Sequence, residues 1–361
     1  MRTPATIAEP RNRRLTSRRS GGLPHGLVAM VIISHNIICK GDRMRKFTPL
    51  SGLPTRTRRL AVAASALALL ASAVACSGED VDAAPSADAI TVTDSTGTAV
   101  TLDAPAERIA CLTMMCVDAL KEVGIVPVAY REELAVDDRF FGPDTQMRQI
   151  TGGFGEENVE DIALSQPDLV IGLGGVQDGL RGAVTESAPL YLVNPTSWRD
   201  SIEFLRTVGQ LTGRQAQADA AAQRFIDRVG DAQQNRSDLT TLSMYGEPGS
   251  LGVDSVETPV GSLLAEISNY PWQAGTDAFA TVSVEQIAAV DPDVIFAQAF
   301  SSGEDTEPLS ARLAANPVWP SISAAQNDRV VEVEASVWAT GRGTISLGIV
   351  LDAATAELNT A

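Results

Sequence analysis

Histidine is almost missing from this chain of 361 residues. Its two copies, His25 and His35, both lie near the N-terminus. If that leader is removed, none remains, which excludes His-based zinc sites, Ser-His-Asp triads and His-ligated haem. Lysine is nearly as scarce, since only Lys121 remains beyond residue 75. Cysteine occurs four times, at 39, 76, 111 and 116, with no CxxC-type spacing. If the leader is removed and Cys76 is acylated, only Cys111 and Cys116 remain, too few to ligate a metal cluster. Long apolar runs are also lacking. The longest, residues 60–75, is slightly short for a transmembrane helix, and the stretch Leu27–Cys39 is shorter still.

Acid dominates what is there. Residues 1–75 hold 13 of the 28 Lys and Arg but only 2 of the 45 Asp and Glu. Residues 76–361 hold the other 15 basic and 43 acidic side chains, a net −28. A body this acidic repels nucleic acid and anionic membrane surfaces. Its acidity serves either solubility and salt adaptation or the attraction of a cationic ligand or partner.

The leader reads as an export signal. Arg56, Arg58 and Arg59 precede the apolar run LAVAASALALLASAVA, small residues close it, and Cys76 follows. Ala73-Val74-Ala75-Cys76 resembles a bacterial lipobox, in which the cysteine is acylated and becomes the mature N-terminus. Residues 1–43 fit no such signal and read as a mis-assigned start or a disordered tail, with Met44 opening a conventional leader over 44–75. Residues 76–88, rich in Ser, Ala and Asp, read as a lipidated Cys and flexible tether.

One repeat organises the remainder. Asn158–Ile171 (NVEDIALSQPDLVI) matches Ser283–Phe296 (SVEQIAAVDPDVIF) at an offset of 125 residues without a gap. Each copy opens on an N-cap residue and places a glutamate, Glu160 or Glu285, in the first turn. The helix must end before Pro167 or Pro292, and a buried parallel strand follows. Two such units imply two similar α/β lobes. Elsewhere the pattern predicts a hairpin over Ile90–Leu102 and strands at Arg108–Leu112, Val126–Ala129, Pro189–Val193, Leu239–Tyr245 and Val330–Val333. It predicts helices at Val117–Val123 and Thr258–Ile267. Arg214–Gln234 lacks proline and reads as a helix about 30 Å long, able to join the lobes as a stiff spacer. The expected fold is therefore α/β: two lobes, each with a mostly parallel central sheet flanked by helices, joined by one long rigid helix. The expected divisions are an N-terminal lobe at 89–212, the interlobe helix at 213–236 and a C-terminal lobe at 237–361.

Several segments in this order carry a family resemblance: RIACL at Arg108–Leu112, LKEVGIVP at Leu120–Pro127, the two repeat units, VGQLTG at Val208–Gly213, Trp319–Val333 and the stretch from Trp338 to Ala353. Over roughly 89–361 the chain resembles the binding proteins of ABC importers for ferric siderophores, haem and vitamin B12. The resemblance implies an extracytoplasmic solute-binding lipoprotein, not an enzyme, held to the outer face of the cell membrane by lipidated Cys76. It implies that Glu160 and Glu285 dock onto the permease subunits; the plainer role for both is compensation of the helix dipole. No cofactor is implied, iron entering only as part of the bound chelate.

Ligands of open α/β sheets sit beyond the carboxyl ends of the strands. The loops there point to Arg131, Arg342, Trp198, Tyr245 and Trp338, with Tyr130 and Gln177 beside them. Arginine grips carboxylate or catecholate oxygens bidentately, and aromatics cover the flat faces of a chelate. The expectation is an anionic ferric chelate held by Arg131 and Arg342 under Trp198 and Trp338. Haem or a corrinoid is the alternative ligand, and a sensing or scaffold lipoprotein a more distant one. Cys111 and Cys116 are open to three readings: a disulfide, two free buried thiols, or a soft-metal or haem-iron ligand set with Met114 and Met115.

Overall fold

The computed structural model describes residues 89–273, 281–299 and 307–360. The leader and Cys76 lie outside the described residues. Among them, no helix is long and apolar enough to cross a membrane.

An opening hairpin pairs β1 (Ile90–Thr93) with β2 (Ala99–Leu102). Lobe one then follows as β3 (Ile109–Cys111), α1 (Met114–Val123), β4 (Ala129–Tyr130), β5 (Arg148–Gln149), a small hairpin of β6 (Gly152–Gly153) and β7 (Glu156–Glu157), α2 (Val159–Leu164), β8 (Leu169–Leu173), α3 (Arg181–Val184) and β9 (Leu190–Val193). Its sheet has the order β5-β4-β3-β8-β9, and every pair is parallel. Helices α4 (Trp198–Leu211) and α5 (Gln215–Gln234) lead into lobe two. There follow β10 (Thr241–Glu247), β11 (Ser250–Val253), α6 (Pro259–Ile267), α7 (Val284–Val290), β12 (Val294–Ala299), α8 (Leu309–Leu313), α9 (Ser323–Gln326), β13 (Val330–Val333), α10 (Ala335–Trp338) and α11 (Thr344–Leu358). Its sheet has the order β11-β10-β12-β13, parallel except for the β10/β11 hairpin.

The repeat has a tertiary reason. Helices α2 and α7 start 125 residues apart, as do β8 and β12. Asn158 Oδ1 accepts the N–H of Glu160, while Ser283 and Gln286 form a reciprocal capping box. The aspartate of each Pro-Asp pair then clamps the neighbouring parallel strand. The Asp168 carboxylate accepts the N–H of Arg108 at 3.0 Å, and the Asp168 N–H returns to the Arg108 carbonyl at 2.8 Å. Asp293 does the same with Thr240, at 2.8 Å in both directions. The clamp sits at the amino ends of the sheets and sets the register of each central strand pair.

Two boundaries and one role depart most from expectation. The strand expected at Val126–Ala129 forms instead at Ala129–Tyr130, because Pro127 has no N–H to give the ladder, and Val126 is exposed. Helix α1 begins at Met114, three residues early, since extended Thr113 already serves as its N-cap position. The long helix runs over the expected span but is no free spacer. Its apolar stripe, including Ala218, Ala222, Phe225 and Val229, is buried in a core shared by α1, α4, α6 and α11. The last helix also leaves the second sheet and packs on helices of the first lobe. Its first N–H groups are capped by buried Asp118 of α1, which accepts from Ile345 N at 2.9 Å and from Ser346 N and Oγ at 2.8 Å. Desolvation raises the Asp118 carboxyl to about 6 despite these donors.

Candidate functional site

An ion pair joins segments that follow the strands of the two sheets. Glu334 follows β13 immediately, and its two oxygens take both terminal nitrogens of Arg139, each at 2.9 Å. Arg139 belongs to the segment after β4 and is also held by Asp137 at 2.8 Å. Its guanidinium keeps both carboxylates below the usual range.

In lobe one the site is built on Arg131. Its backbone N–H donates to the Cys111 carbonyl, fixing it at the end of β3. Cys111 is bonded to Cys116 with Cα atoms 5.4 Å apart, and both are fully buried. The disulfide reading therefore stands, and the Met114-Met115-Cys116 ligand set is overturned: the sulfur is bonded and the methionines are sealed in the core. The Arg131 guanidinium contacts Glu132 at 2.5 Å and lies 3.5 Å from Glu157. It also lies 5.1 Å from the ring centroid of Phe154. Glu157 is buried and accepts from Gln177 Nε2 at 2.8 Å and from the Gly155 N–H at 3.1 Å. Glu157 Oε2 and Arg131 Nε are buried without a hydrogen-bond partner among the described residues. Phe154 is 58 % exposed at the tip of the β6–β7 hairpin. That turn needs Gly152 at φ +109°, where a Cβ would lie 2.4 Å from the Glu156 carbonyl.

In lobe two, half-buried Tyr245 on β10 lies over its cross-strand partner Gly252, where a Cβ would come within 2.3 Å of the ring. Next to it is a buried polar network. Ser243 Oγ donates to Asp254 at 2.7 Å, Gln298 Nε2 donates to Ser243 at 2.9 Å, and the Tyr270 hydroxyl donates to the Asp254 carbonyl at 2.6 Å. Burial pushes the Asp254 carboxyl up, opposed by Ser243 and by the charge of Arg342. Burial and Asp254 likewise raise the Tyr245 phenol. Arg342 itself donates Nε to the Ala339 carbonyl at 3.1 Å. No ion pair to it forms within 4.0 Å among the described residues.

Thus the structure groups Arg342 with Tyr245, and Arg131 with Gln177, but it corrects four expected ligand contacts. Trp198 is only 5 % exposed. It opens α4 and turns toward α6, its N–H on Ser262 and its indole N–H on Glu266 at 3.2 Å. Trp338, 3 % exposed, stacks on Phe296 at 4.8 Å. Gln177 is wholly buried, tying the Leu173 N–H to Glu157. Tyr130 is buried within β4. Position after a strand marked all four, but packing turns each side chain inward. Phe154, Glu157, Asp254 and the Arg139–Glu334 pair were missed. Only Phe154 left a signal, an aromatic at the centre of the glycine-rich stretch GGFGEE.

Glu160 and Glu285 stand at equivalent, exposed positions in the first turns of α2 and α7. The Glu285 carboxyl is held low by its own N–H and by Ser283. A hollow of about 320 Å³ lies beside Glu285, lined among others by Leu251, Ser283 and Asn316.

The family model described as periplasmic binding protein matches residues 109–337, from β3 to α10. The chain belongs to that family. As a periplasmic binding protein, it is similar to the Fe(3+) dicitrate-binding periplasmic protein FecB of Escherichia coli, with 24% identity over 263 residues, 71% of this chain and 85% of FecB. It is 26% identical to the probable siderophore-binding lipoprotein YfiY of Bacillus subtilis over 282 residues, 73% of this chain and 85% of YfiY. Among solved structures, siderophore-binding protein BauB, bound to two acinetobactin molecules and ferric iron, superposes with a TM-score of 0.63. The match covers 75% of this periplasmic binding protein and 99% of BauB at 20% identity, a likeness of fold.

Proposed function

We propose that this periplasmic binding protein captures a ferric siderophore or similar iron chelate and delivers it to the permease of an ABC importer, without catalysing a reaction. The observation that carries this reading is the ion pair of Arg139 with Glu334, which joins segments beyond the carboxyl ends of β4 and β13, the position where open α/β sheets take ligands. The likeness to FecB and YfiY supports an iron chelate. The ligand lies between Arg131 and Phe154 on one side and Tyr245 and Arg342 on the other. Glu160 and Glu285, exposed on equivalent helices, suit charge pairing with a permease. Lipidated Cys76 anchors the mature protein to the outer face of the membrane, with 1–75 removed.

Titration with ferric chelates, haemin and a corrinoid, alongside native mass spectrometry of protein from iron-starved cells, tests the ligand. Binding of a ferric chelate at micromolar concentration or below is expected. Binding of haemin or the corrinoid alone would replace the ligand assignment. Cys76→Ala is expected to release the protein from the membrane fraction, and retention would overturn the anchor.

A further inference from the structure

Two of the three arginines at the strand ends are already matched by carboxylates. Arg131 has Glu132 and Glu157 within 3.5 Å, and Phe154 lies over its guanidinium. Arg139 is held between Asp137 and Glu334. Arg342 has no ion pair within 4.0 Å among the described residues, and its charge acts on buried Asp254 only from a distance. Three arginines thus stand against five carboxylates, and Glu133, Glu156 and Glu247 stand nearby in sequence without a salt bridge among the described residues. Neither 274–280 nor 300–306 contains a lysine or an arginine.

From this charge balance we propose that the chelate is neutral or cationic, of the ferric trihydroxamate class, and not a catecholate or citrate polyanion. The proposal rests on the iron-chelate reading above and reverses the expected grip of Arg131 on an anion. Three hydroxamates bring three negative charges and neutralise Fe³⁺. Three catecholates bring six and leave the complex at −3. To bind that complex, Arg131 would have to turn away from Glu157. That carboxylate has no exposed side-chain area and no other cation in contact among the described residues. Stripping the counter-charge from a buried carboxylate is costly. The surrounding field adds to this, since like charges juxtaposed at an interface are unfavourable. A trihydroxamate asks for less: apolar contact, which exposed Phe154 offers, and hydrogen bonds to its carbonyl and amide groups, which half-buried Tyr245 and Arg342 offer.

Calorimetric titration of the full mature protein should use four probes: a neutral ferric trihydroxamate, an amine-bearing cationic one, a ferric tris-catecholate and ferric citrate. The two hydroxamates are expected to bind at least about tenfold tighter than either anion. Raising salt from about 0.01 to about 0.15 M shortens the Debye length from about 30 to about 8 Å. This change should leave the neutral chelate's affinity constant, weaken the cationic one and strengthen the anions. Glu132→Gln, which removes one charge beside Arg131, should shift the ratio of anionic to neutral affinity by about fivefold toward the anion. Equal or tighter binding of either anion, with affinity falling as salt rises, would overturn the charge assignment and leave the iron-chelate reading intact. If no ferric chelate of any charge binds while haemin or a corrinoid does, the iron-chelate reading itself fails.

Discussion

The two lobes use one backbone unit and brace their strand ends by different chemistry. Both carry a capped helix, a Pro-Asp pair and a parallel strand at a fixed offset, and both aspartates clamp the neighbouring strand through the same two hydrogen bonds. At the carboxyl end they part. Lobe one is stapled by Cys111–Cys116 and packed with the charged group Arg131, Glu132 and Glu157. Lobe two has no disulfide among its described residues and holds its edge with the hydrogen-bonded chain Gln298, Ser243, Asp254 and Tyr270. The helices bearing the exposed glutamates differ too. One turn beyond Glu160 stands Leu164, 57 % exposed, whereas the matching residue beyond Glu285 is Ala289. The comparison teaches that a repeated backbone constraint need not carry the side-chain chemistry of a site with it.

The largest expected effect tests whether the lobes act as equals at the permease. Reversing both exposed glutamates, Glu160→Arg with Glu285→Arg, should abolish uptake while ligand affinity in titration stays at the parental value, because like charges at an interface cost several kcal/mol. Comparing the two single variants then shows whether the unequal helix faces contribute unequally. Uptake that survives the double reversal breaks the docking assignment.

Next in size is the junction between the lobes. Asp118→Ala leaves two backbone N–H groups and a hydroxyl of α11 without partners. Urea denaturation should register a loss of about 3 kcal/mol. The same carboxyl gives a pH signature. Its folded value of about 6 lies above the ordinary 3.8, so the folded state holds the proton more tightly than the unfolded chain. The stability this contributes is complete below pH 3.8 and is lost as pH rises through 6. Between pH 7.5 and 5 the parental protein should therefore gain about 1 kcal/mol relative to Asp118→Asn. An advantage that does not change with pH would show that Asp118 is ionised throughout.

The staple comes third. Cys111→Ala with Cys116→Ala should cost about 2 kcal/mol, the loop-closure entropy of so short a ring. Hydrogen exchange should place the loss in β3, α1 and Arg131 and leave β10 and β12 protected. Smallest are the caps. Asn158→Ala and Ser283→Ala should each cost about 1 kcal/mol, since each removes the side-chain acceptor of one first-turn N–H. Gln286→Ala removes the other half of the box, the acceptor of the Ser283 N–H, and an unchanged stability there would show that this second bond adds nothing.

What the sequence by itself determined is local or periodic: the caps, the Pro-Asp breaks, the strand alternation, the span of the long helix and the pairing of Glu160 with Glu285. Each of these depends on residues within a turn or two, or on an exact internal match, so it can be read along the chain. It also confined the strand-end segments from which Arg131, Arg342 and Tyr245 reach the candidate site. Tertiary structure alone decided where the side chains in those segments turn. Trp198 and Trp338 sit after strands as expected but face α6 and Phe296, because burying an indole in the shared helical core outweighs leaving it at a wet edge. Arg131 looked available until Glu157, 26 positions on, was brought beneath it by the hairpin at Gly152. The cysteines could bond only if their Cα atoms came close, and the turn from β3 into α1 brings them to 5.4 Å. In each case the outcome depends on which distant surface covers a side chain, and no spacing along the chain encodes that.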